Sequence, residues 1–294
     1  MSKHLFQLRD IGYAGVWRIL HGVHGQAGLE AAHGGMQGAS VPLLFTEYAP
    51  QDRLALTLSI RSMGGGEVYF GSGEWPGEAC VRDTQSFVFD QGGPLCVVNG
   101  LSLSTLLVLA ASGRCSLLNG GGPDAHPCRL LADMALMRER QPDMSSTRIA
   151  WVGGANGLAH SLIEAAMYIP FELFMALPEW GEPNREFLSL AFAAGAKIFL
   201  TRDIHMAVDG AHYIYAGSGP PNTGHNAPRA GMLIDGAVMA MAHPEALLLL
   251  GQETGCWVQD EVLAVHAALD RERFAVRLKV QRLIWNWLLH EDDA

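Results

Sequence analysis

The side chains with the clearest capacity for chemistry lie in turns that follow predicted strands. His126 stands before Pro127 at the predicted start of a helix, directly after the glycine-rich loop 120–123. In open α/β sheets such turns line the crevice at the carboxyl ends of the strands, where an imidazole can bind a ligand or transfer a proton. A packed structural histidine is the alternative that the residues leave open. His126 is therefore the first candidate for a functional side chain.

A second turn, 152–157, separates a predicted strand from a predicted helix, so its backbone N–H groups could hold an anion. Ala155 and Leu158 occupy the second and third glycine positions of the GxGxxG fingerprint, which argues against a dinucleotide cofactor. A tight turn that needs small residues is an equally good interpretation. The twelve histidines show neither HExxH nor another metal-ligand spacing, and no GxSxG appears. We therefore expect no metal and no cofactor.

Alternating strands and helices must position these turns. Apolar runs predict strands at 41–45, 68–70, 95–98, 116–118, 148–152, 172–177, 197–200 and 212–215. Helical periodicity appears between several of these strands and again over 270–289, which predicts parallel sheets covered by helices on both faces. The polar, turn-rich segment 141–146 predicts a domain boundary. The fold class is therefore α/β, with two doubly wound parallel-sheet domains at 1–142 and 143–269 and a C-terminal helix at 270–294.

Composition limits the class of partner. Of the 294 residues, 49% are hydrophobic and 17% are charged, below the ~25% of an average soluble domain, and oligomeric partners often cover such apolar surface. The net charge is −10 without a basic run, so we expect neither nucleic acid nor an anionic membrane as partner. The five cysteines form no CxxC pair, and neither a signal-peptide core nor an apolar run of ~18 residues appears. These features predict a cytoplasmic protein with reduced thiols.

A series of short motifs, in order along nearly the whole chain, resembles the aspartate/ornithine carbamoyltransferase family. These motifs are Lys3-His4-Leu5-Phe6, Arg61-Ser62-Met63-Gly64-Gly65, Gly77-Glu78 with Asp83-Thr84, His126-Pro127-Cys128-Arg129, Ile149-Ala150-Trp151-Val152-Gly153, and Val258-Gln259-Asp260-Glu261-Val262 with Arg277-Leu278 and Gln281. No single motif is decisive, but their order and spacing together identify the family.

The resemblance implies a fold, a reaction and an assembly. The fold has an N-terminal domain that binds carbamoyl phosphate, a C-terminal domain that binds an amino acid, and a last helix that returns to the first domain. In the reaction an amine attacks the carbonyl carbon of carbamoyl phosphate, while Arg and Thr side chains neutralise the phosphate and a His and an Arg polarise the carbonyl. The assembly is a homotrimer in which a neighbour's loop completes each active site.

The chain departs from the family where the phosphate is held. The family's Ser-Thr-Arg-Thr-Arg loop reads Ala49-Pro50-Gln51-Asp52-Arg53 here, so only Arg53 is retained. The arginine that ends a strand of the first domain is Asn99, and the glutamine of the HPxQ motif is Arg129. Each charge-assisted contact to phosphate contributes about 1.5–3 kcal/mol, and a carboxylate at Asp52 adds repulsion. The changes predict an affinity for carbamoyl phosphate that is ~10³-fold lower or more.

The second domain departs from the family as well. Gly157 replaces one asparagine of an Asn-Asn pair, Gly217 replaces an aspartate after the fourth strand, and Leu248-Leu249-Leu250-Gly251 replaces a His-Cys-Leu-Pro segment. The resemblance implies His126 and Arg129 as catalytic residues, and as substrate-binding residues Asp52, Asn99, Asn156, His160, Arg277 and Trp75, the last from a neighbour's loop. Two alternatives stay open: Asp52 could cap a helix, and Arg277 could brace the last helix against the first domain.

Three functional hypotheses follow. The first is a diverged transferase of amino-acid metabolism that acts on a small amino-acid-like ligand with a changed donor or changed chemistry. The second is a catalytically inactive relative that serves as a scaffold or as a regulatory subunit. The third is ordinary carbamoyl transfer through repositioned residues. The polar side chains at His126, Arg129, Asn156 and His160 favour the first, because an abandoned crevice would become apolar.

Overall fold

The computed structural model describes residues 3–25, 35–74, 93, 95–111, 115–219, 231–251 and 258–290. The chain divides into two compact units, one formed by Met1–Leu136 with Phe274–Ala294 and the other by Met137–Arg273. The limits inferred from the sequence, 1–142, 143–269 and 270–294, stay a prediction.

The first unit contains a sheet whose described strands are all parallel, in the order β2-β1-β3-β4. Its strands are β1 (Ser40–Phe45), β2 (Gly66–Phe70), β3 (Leu95–Asn99) and β4 (Ser116–Gly121), and its helices are α1 (Gly12–Gly22), α2 (Pro50–Ser62), α3 (Leu103–Ala110) and α4 (Pro127–Arg140), whose end belongs to the second unit. Every residue of β3 and β4 is buried, as expected for parallel strands that are covered on both faces. The edge strand β2 is the more exposed one.

The second unit contains a parallel sheet in the order β7-β6-β5-β8-β9. Its strands are β5 (Arg148–Val152), β6 (Glu172–Ala176), β7 (Lys197–Thr201), β8 (Tyr213–Ala216) and β9 (Leu247–Leu250), and its helices are α5 (Gly157–Ala165), α6 (Arg185–Ala193), α7 (Ile204–Val208) and α8 (Gly236–Met241). Because β5 has later strands on both sides, the strand order reverses between β5 and β8, where turns of doubly wound sheets usually bind ligands.

The last helix, α9 (Asp260–Leu289), begins ten residues before the predicted start at 270 and contributes to both units. In the first unit its buried Trp285 donates a hydrogen bond from Nε1 to Ser59 Oγ on α2, at 3.0 Å. The predicted fold class is confirmed: both sheets are parallel and carry helices, and the C-terminal helix returns to the first unit. Within the described residues no helix is long and apolar enough to cross a membrane.

Candidate functional site

The carboxyl edge of the first sheet brings together several of the predicted site residues. Strand β4 ends at Gly121 with a φ of +134°, and a Cβ atom there would lie 2.6 Å from His126 Nε2. Glycine is therefore required at this position, because it lets the imidazole of His126 pack directly over the strand end. Pro127 then starts α4, as its fixed φ favours at the first helical position. The missing side chain at Gly121 therefore leaves the space that the His126 ring occupies.

Asp52 is the centre of this cluster. It is the third residue of α2, and its Oδ1 accepts a hydrogen bond of 2.7 Å from Arg277 Nη1 on α9. Its Oδ2 lies 3.4 Å from His126 Nε2. The expectation that Asp52 caps the helix is wrong, because the side chain turns away from the helix end to these two partners and the N-cap residue, Ala49, supplies no side-chain hydrogen bond. A carboxylate in the first turn remains favourable to the helix dipole.

The cluster is largely removed from solvent. The exposed fractions of the Asp52, His126 and Arg277 side chains are 15%, 13% and 6%. Burial by itself would raise the pKa of Asp52, but attraction to His126, and then to Arg277 and Arg129, outweighs it and holds the pKa well below its ordinary value. Asp52 is therefore ionised at neutral pH and stands as a fixed negative charge among the cations.

Two more predicted residues complete this edge of the first unit. Arg129 is buried on α4 near enough to attract the Asp52 carboxylate. Asn99 ends β3 with 3% exposure, and its backbone carbonyl accepts hydrogen bonds from the backbone N–H and hydroxyl of Thr46. A Cβ at Gly120 on the neighbouring strand β4 would lie 3.5 Å from Asn99 Cβ.

Arg53 of the phosphate loop and Cys128 of the histidine motif have roles other than binding Asp52. Arg53 is exposed, and its guanidinium lies 3.7 Å from the ring centroid of Tyr69, which gives it a packing role on the surface. Burial raises the pKa of the Cys128 thiol to about 12, so this cysteine is not a nucleophile at neutral pH. Among the described residues no group of three or more His, Cys, Asp and Glu could hold a metal ion.

In the second unit Asn156 and His160 lie on the turn and helix after β5. Asn156 caps α5, with Oδ1 accepting from the backbone N–H groups of residues 158 and 159, and its Nδ2 donates to Ser218 Oγ at 2.9 Å. His160 is buried, its Nε2 accepts from the backbone N–H of Asn184 at 3.0 Å, and its ring stacks on Phe187 with centroids 4.8 Å apart. These contacts fix both side chains, and their substrate-binding role stays a prediction.

Trp151 explains two departures that the sequence alone left without a cause. Its indole is fully buried on β5, and Nε1 donates to the carbonyl oxygens of Gly153 and Gly154 at 3.2 and 3.3 Å. A Cβ at Gly217 would lie 2.6 Å from Trp151 Nε1, and a Cβ at Gly251 would lie 3.2 Å from its Cη2. The indole therefore fills the space in which the family carries an aspartate and a proline. No local pattern in the sequence pointed to this residue.

Some of the predicted features lie outside the described residues. Trp75 and the Gly77-Glu78 and Asp83-Thr84 motifs fall in the range 75–92, and most of the glycine-rich loop after β8 falls in 220–230.

Comparisons with known proteins agree with the motifs. The chain is 36% identical over 301 residues to an ornithine carbamoyltransferase of Nitratidesulfovibrio vulgaris, covering 99% of this chain and 100% of that protein. It is 33% identical to the ornithine carbamoyltransferase of Oleidesulfovibrio alaskensis, covering 98% and 99%. Solved ornithine carbamoyltransferases from Thermus thermophilus and Pyrococcus furiosus have TM-scores of 0.83 and 0.84 at 22% and 20% identity, covering 99% and 97% of this chain and 100% and 96% of theirs. No family model matches the sequence. Because these relatives are 33–36% identical over essentially their whole length, the chain belongs to the aspartate/ornithine carbamoyltransferase family that its motifs resemble.

Proposed function

We propose that this protein is a transferase of amino-acid metabolism whose donor site does not take the phosphate dianion of carbamoyl phosphate. The observation that carries the proposal is the ion-paired carboxylate of Asp52, bound to Arg277 and facing His126. Full-length relatives named ornithine carbamoyltransferase support an amino-acid amine as the acceptor. His126 and Arg129 are the proposed catalytic residues, because both lie at this cluster.

Charge accounts for the changed donor. The Asp52 carboxylate already occupies the Arg277 guanidinium, so an incoming anion must displace it or share it. Gln51 and Asn99 are neutral where the resemblance places two guanidinium groups. Two lost contacts at about 1.5–3 kcal/mol each remove roughly 3–6 kcal/mol of binding free energy, or about 10²–10⁴-fold in affinity. Asp52 weakens the binding of a dianion further by direct repulsion.

The acceptor side is altered as well in this proposal. The resemblance implies an aspartate after the fourth strand that is suited to an ammonium group, whereas Gly217 offers no side chain and Trp151 fills the space. We therefore expect Asn156 and His160 to contribute through the shape of their turn, with the amine recognised by other groups. The substrate is an amino-acid-like amine without a fixed carboxylate partner at Gly217.

A homotrimer is part of the proposal. Exposed apolar side chains gather on the first unit at the edge strand β2 and on α2, where Leu54, Leu58, Val68 and Tyr69 are 37–50% exposed. Such a patch favours an oligomeric partner. Light scattering after size-exclusion chromatography measures the mass directly, and a mass of one 31.7 kDa chain at micromolar concentration would exclude the trimer.

The test is a calorimetric titration with carbamoyl phosphate in phosphate-free buffer. We expect no binding to the wild-type protein below millimolar concentration, and a gain of at least about 100-fold for the double variant Asp52→Thr with Asn99→Arg, which restores two family contacts. The matched control is Glu67→Gln, which removes a carboxylate of equal exposure, 15%, from a pair with the largely exposed Arg61 in the same unit. Micromolar binding by the wild type would refute the proposal.

Ordinary carbamoyl transfer is the second candidate, because a relative with 36% identity over its whole length is named for it. Formation of citrulline from ornithine and carbamoyl phosphate by the wild-type protein would establish it. Loss of that activity in His126→Asn, with retention in Glu67→Gln, would place the reaction at the cluster.

A further inference from the structure

We propose that the edge strand β7 of the second unit is an interface, at which β7 of a second copy of this chain pairs antiparallel about a two-fold axis. The two sheets then form one continuous sheet across both copies. The surface belongs to the second unit, so this inference is independent of the trimer proposed from the patch on β2 and α2 of the first unit.

Apolar side chains are exposed on both faces of the sheet at β7. Phe199 stacks on Phe174 of the neighbouring strand β6, with ring centroids 4.5 Å apart, and its outer side is open. Leu200 points to the opposite face, because side chains alternate along a strand. The adjacent helices α6 and α7 add three more apolar side chains, and the whole set, which we call the β7 surface, is 39–62% exposed: Leu190, Phe192, Phe199, Leu200 and Met206.

The area of the β7 surface suits a dimer. Side chains of this size present about 150–250 Å² each when they are fully exposed, so five that are about half exposed leave roughly 350–600 Å² of apolar surface. A stable interface buries about 800 Å² per partner, of which roughly 450–520 Å² is apolar. The β7 surface therefore matches the apolar part of a standard interface between two copies.

Strand β7 also lacks the features that usually protect an edge strand from pairing. Its register with β6 is continuous from Lys197 to Thr201, so the strand has no bulge, and it contains no proline. Its one charged residue, Lys197, stands at the first position and is already paired with Glu172 at 3.2 Å. A regular apolar edge of this kind is a template for another strand.

The direction of the backbone groups determines the register of the pairing. The carbonyl of Thr201 accepts a hydrogen bond from Leu177 N–H on the β6 side, so the alternate residues Ile198 and Leu200 direct their N–H and C=O groups outward. Across the described part of the chain, β6 is the only strand that pairs with β7. Antiparallel pairing centred on Phe199 places Ile198 opposite the partner's Leu200, where the outward groups exchange hydrogen bonds. The two Phe199 rings then form a non-hydrogen-bonded pair, in which side chains lie closest.

The charges at the ends of β7 agree with this register. Lys197 lies opposite the partner's Thr201, and the exposed Asp203 follows two residues later, at the diagonal position that a lysine side chain reaches. Two-fold symmetry forms this pair of opposite charges twice, and an uncharged residue, Phe199, stands at the axis. A second copy of the chain is therefore electrostatically complementary to this edge.

The test is the mass of the full chain, measured by light scattering after size-exclusion chromatography at micromolar concentration. We expect an even number of 31.7 kDa chains for the wild type, whether or not the trimer forms. Phe199→Glu and Phe199→Lys each place like charges at the axis, so each should have half the wild-type mass or less, with pairing weakened at least about 100-fold. The matched control, Leu107→Glu, adds a charge at an exposed apolar position of the first unit and should keep the wild-type mass.

A mixture of the two variants makes the test independent of any folding defect. Equal amounts of Phe199→Glu and Phe199→Lys should regain the wild-type mass, because opposite charges then meet at the axis. A wild-type mass of one or three chains would overturn the inference and leave the β7 surface to a partner other than this chain. Single variants that keep the wild-type mass, or a mixture that does not regain it, would overturn it as well.

Discussion

Replacing Asp52 by asparagine should make the stability of the first unit depend on the presence of anions. The substitution keeps the size of the side chain but removes its charge, which leaves Arg277, 6% exposed, without its carboxylate. Removal of one partner from a buried pair costs about 3–5 kcal/mol. Because 15% of the Asp52 side chain is exposed, we expect the lower end, about 3 kcal/mol.

The assay is thermal unfolding in an anion-poor buffer, followed by titration with sulfate or phosphate. For a unit of this size about 3 kcal/mol corresponds to a fall of roughly 6–12 °C in the midpoint. An anion that binds the uncovered cations at 100 times its dissociation constant restores about 2.7 kcal/mol. The wild-type midpoint should rise only by the general effect of these salts, because Asp52 already holds the place.

Glu67→Gln is the control for this experiment, since it removes a carboxylate from a pair whose arginine side chain is 64% exposed. We expect little change in its midpoint and the same anion response as the wild type. If Asp52→Asn were as stable as the wild type in the absence of anions, the ion pair with Arg277 would not contribute to stability and the charge argument for the donor site would fail.

Two further predictions concern pH and packing. Because the pKa of Asp52 is depressed in the folded state, its contribution to stability is complete above about pH 4 and is lost as the pH falls toward the folded-state pKa. We therefore expect the free energy of unfolding, measured with urea, to fall more for the wild type than for Asp52→Asn between pH 5 and about 2.5. Equal decreases in the two proteins would contradict this. Gly217→Ala should destabilise the second unit by about 1–3 kcal/mol, because its Cβ would meet the fully buried indole of Trp151. The control is Gly236→Ala, whose Cβ would meet nothing within 4 Å and which should not destabilise the unit. Equal thermal unfolding midpoints for the two variants would show that Trp151 can move.

The sequence predicts those strands that consist mainly of apolar residues, because their composition indicates that they are buried. Runs such as Ser40–Phe45 and Arg148–Val152 are buried on both faces, so they read as continuous apolar segments. Leu247–Leu250 is also a continuous apolar run, but the resemblance assigns Leu248-Leu249-Leu250-Gly251 to a substrate segment; in the structure the run is a strand that pairs with Tyr213–Ala216. The last helix begins at Asp260 and not at 270, and the apolar Val265 in its first turns is exposed, so the apolar residues there do not mark one buried face.

The site was harder to predict than the fold because its contacts join distant parts of the chain. An acidic residue in the first turn of a helix fits a cap as well as an ion pair, and the partner that decides, Arg277, lies 225 positions away from Asp52. The same holds for Trp151, whose indole determines Gly217 and Gly251 from a strand 66 and 100 positions earlier in the chain. The residue types in a motif therefore indicate candidate site residues, but their contacts depend on residues far away in the sequence.

The composition of the cluster bears on whether the site still functions. A chain that only had to keep its fold could replace Asp52 and Arg277 with apolar residues, because such replacements of buried ion pairs are often neutral or stabilising by about 1–4 kcal/mol. This chain instead keeps a carboxylate, a guanidinium and an imidazole in contact at Asp52, Arg277 and His126. Stability alone does not call for that combination, since each group costs desolvation. A ligand bound by these charged groups would account for it, which favours the proposed altered donor site over a non-catalytic scaffold.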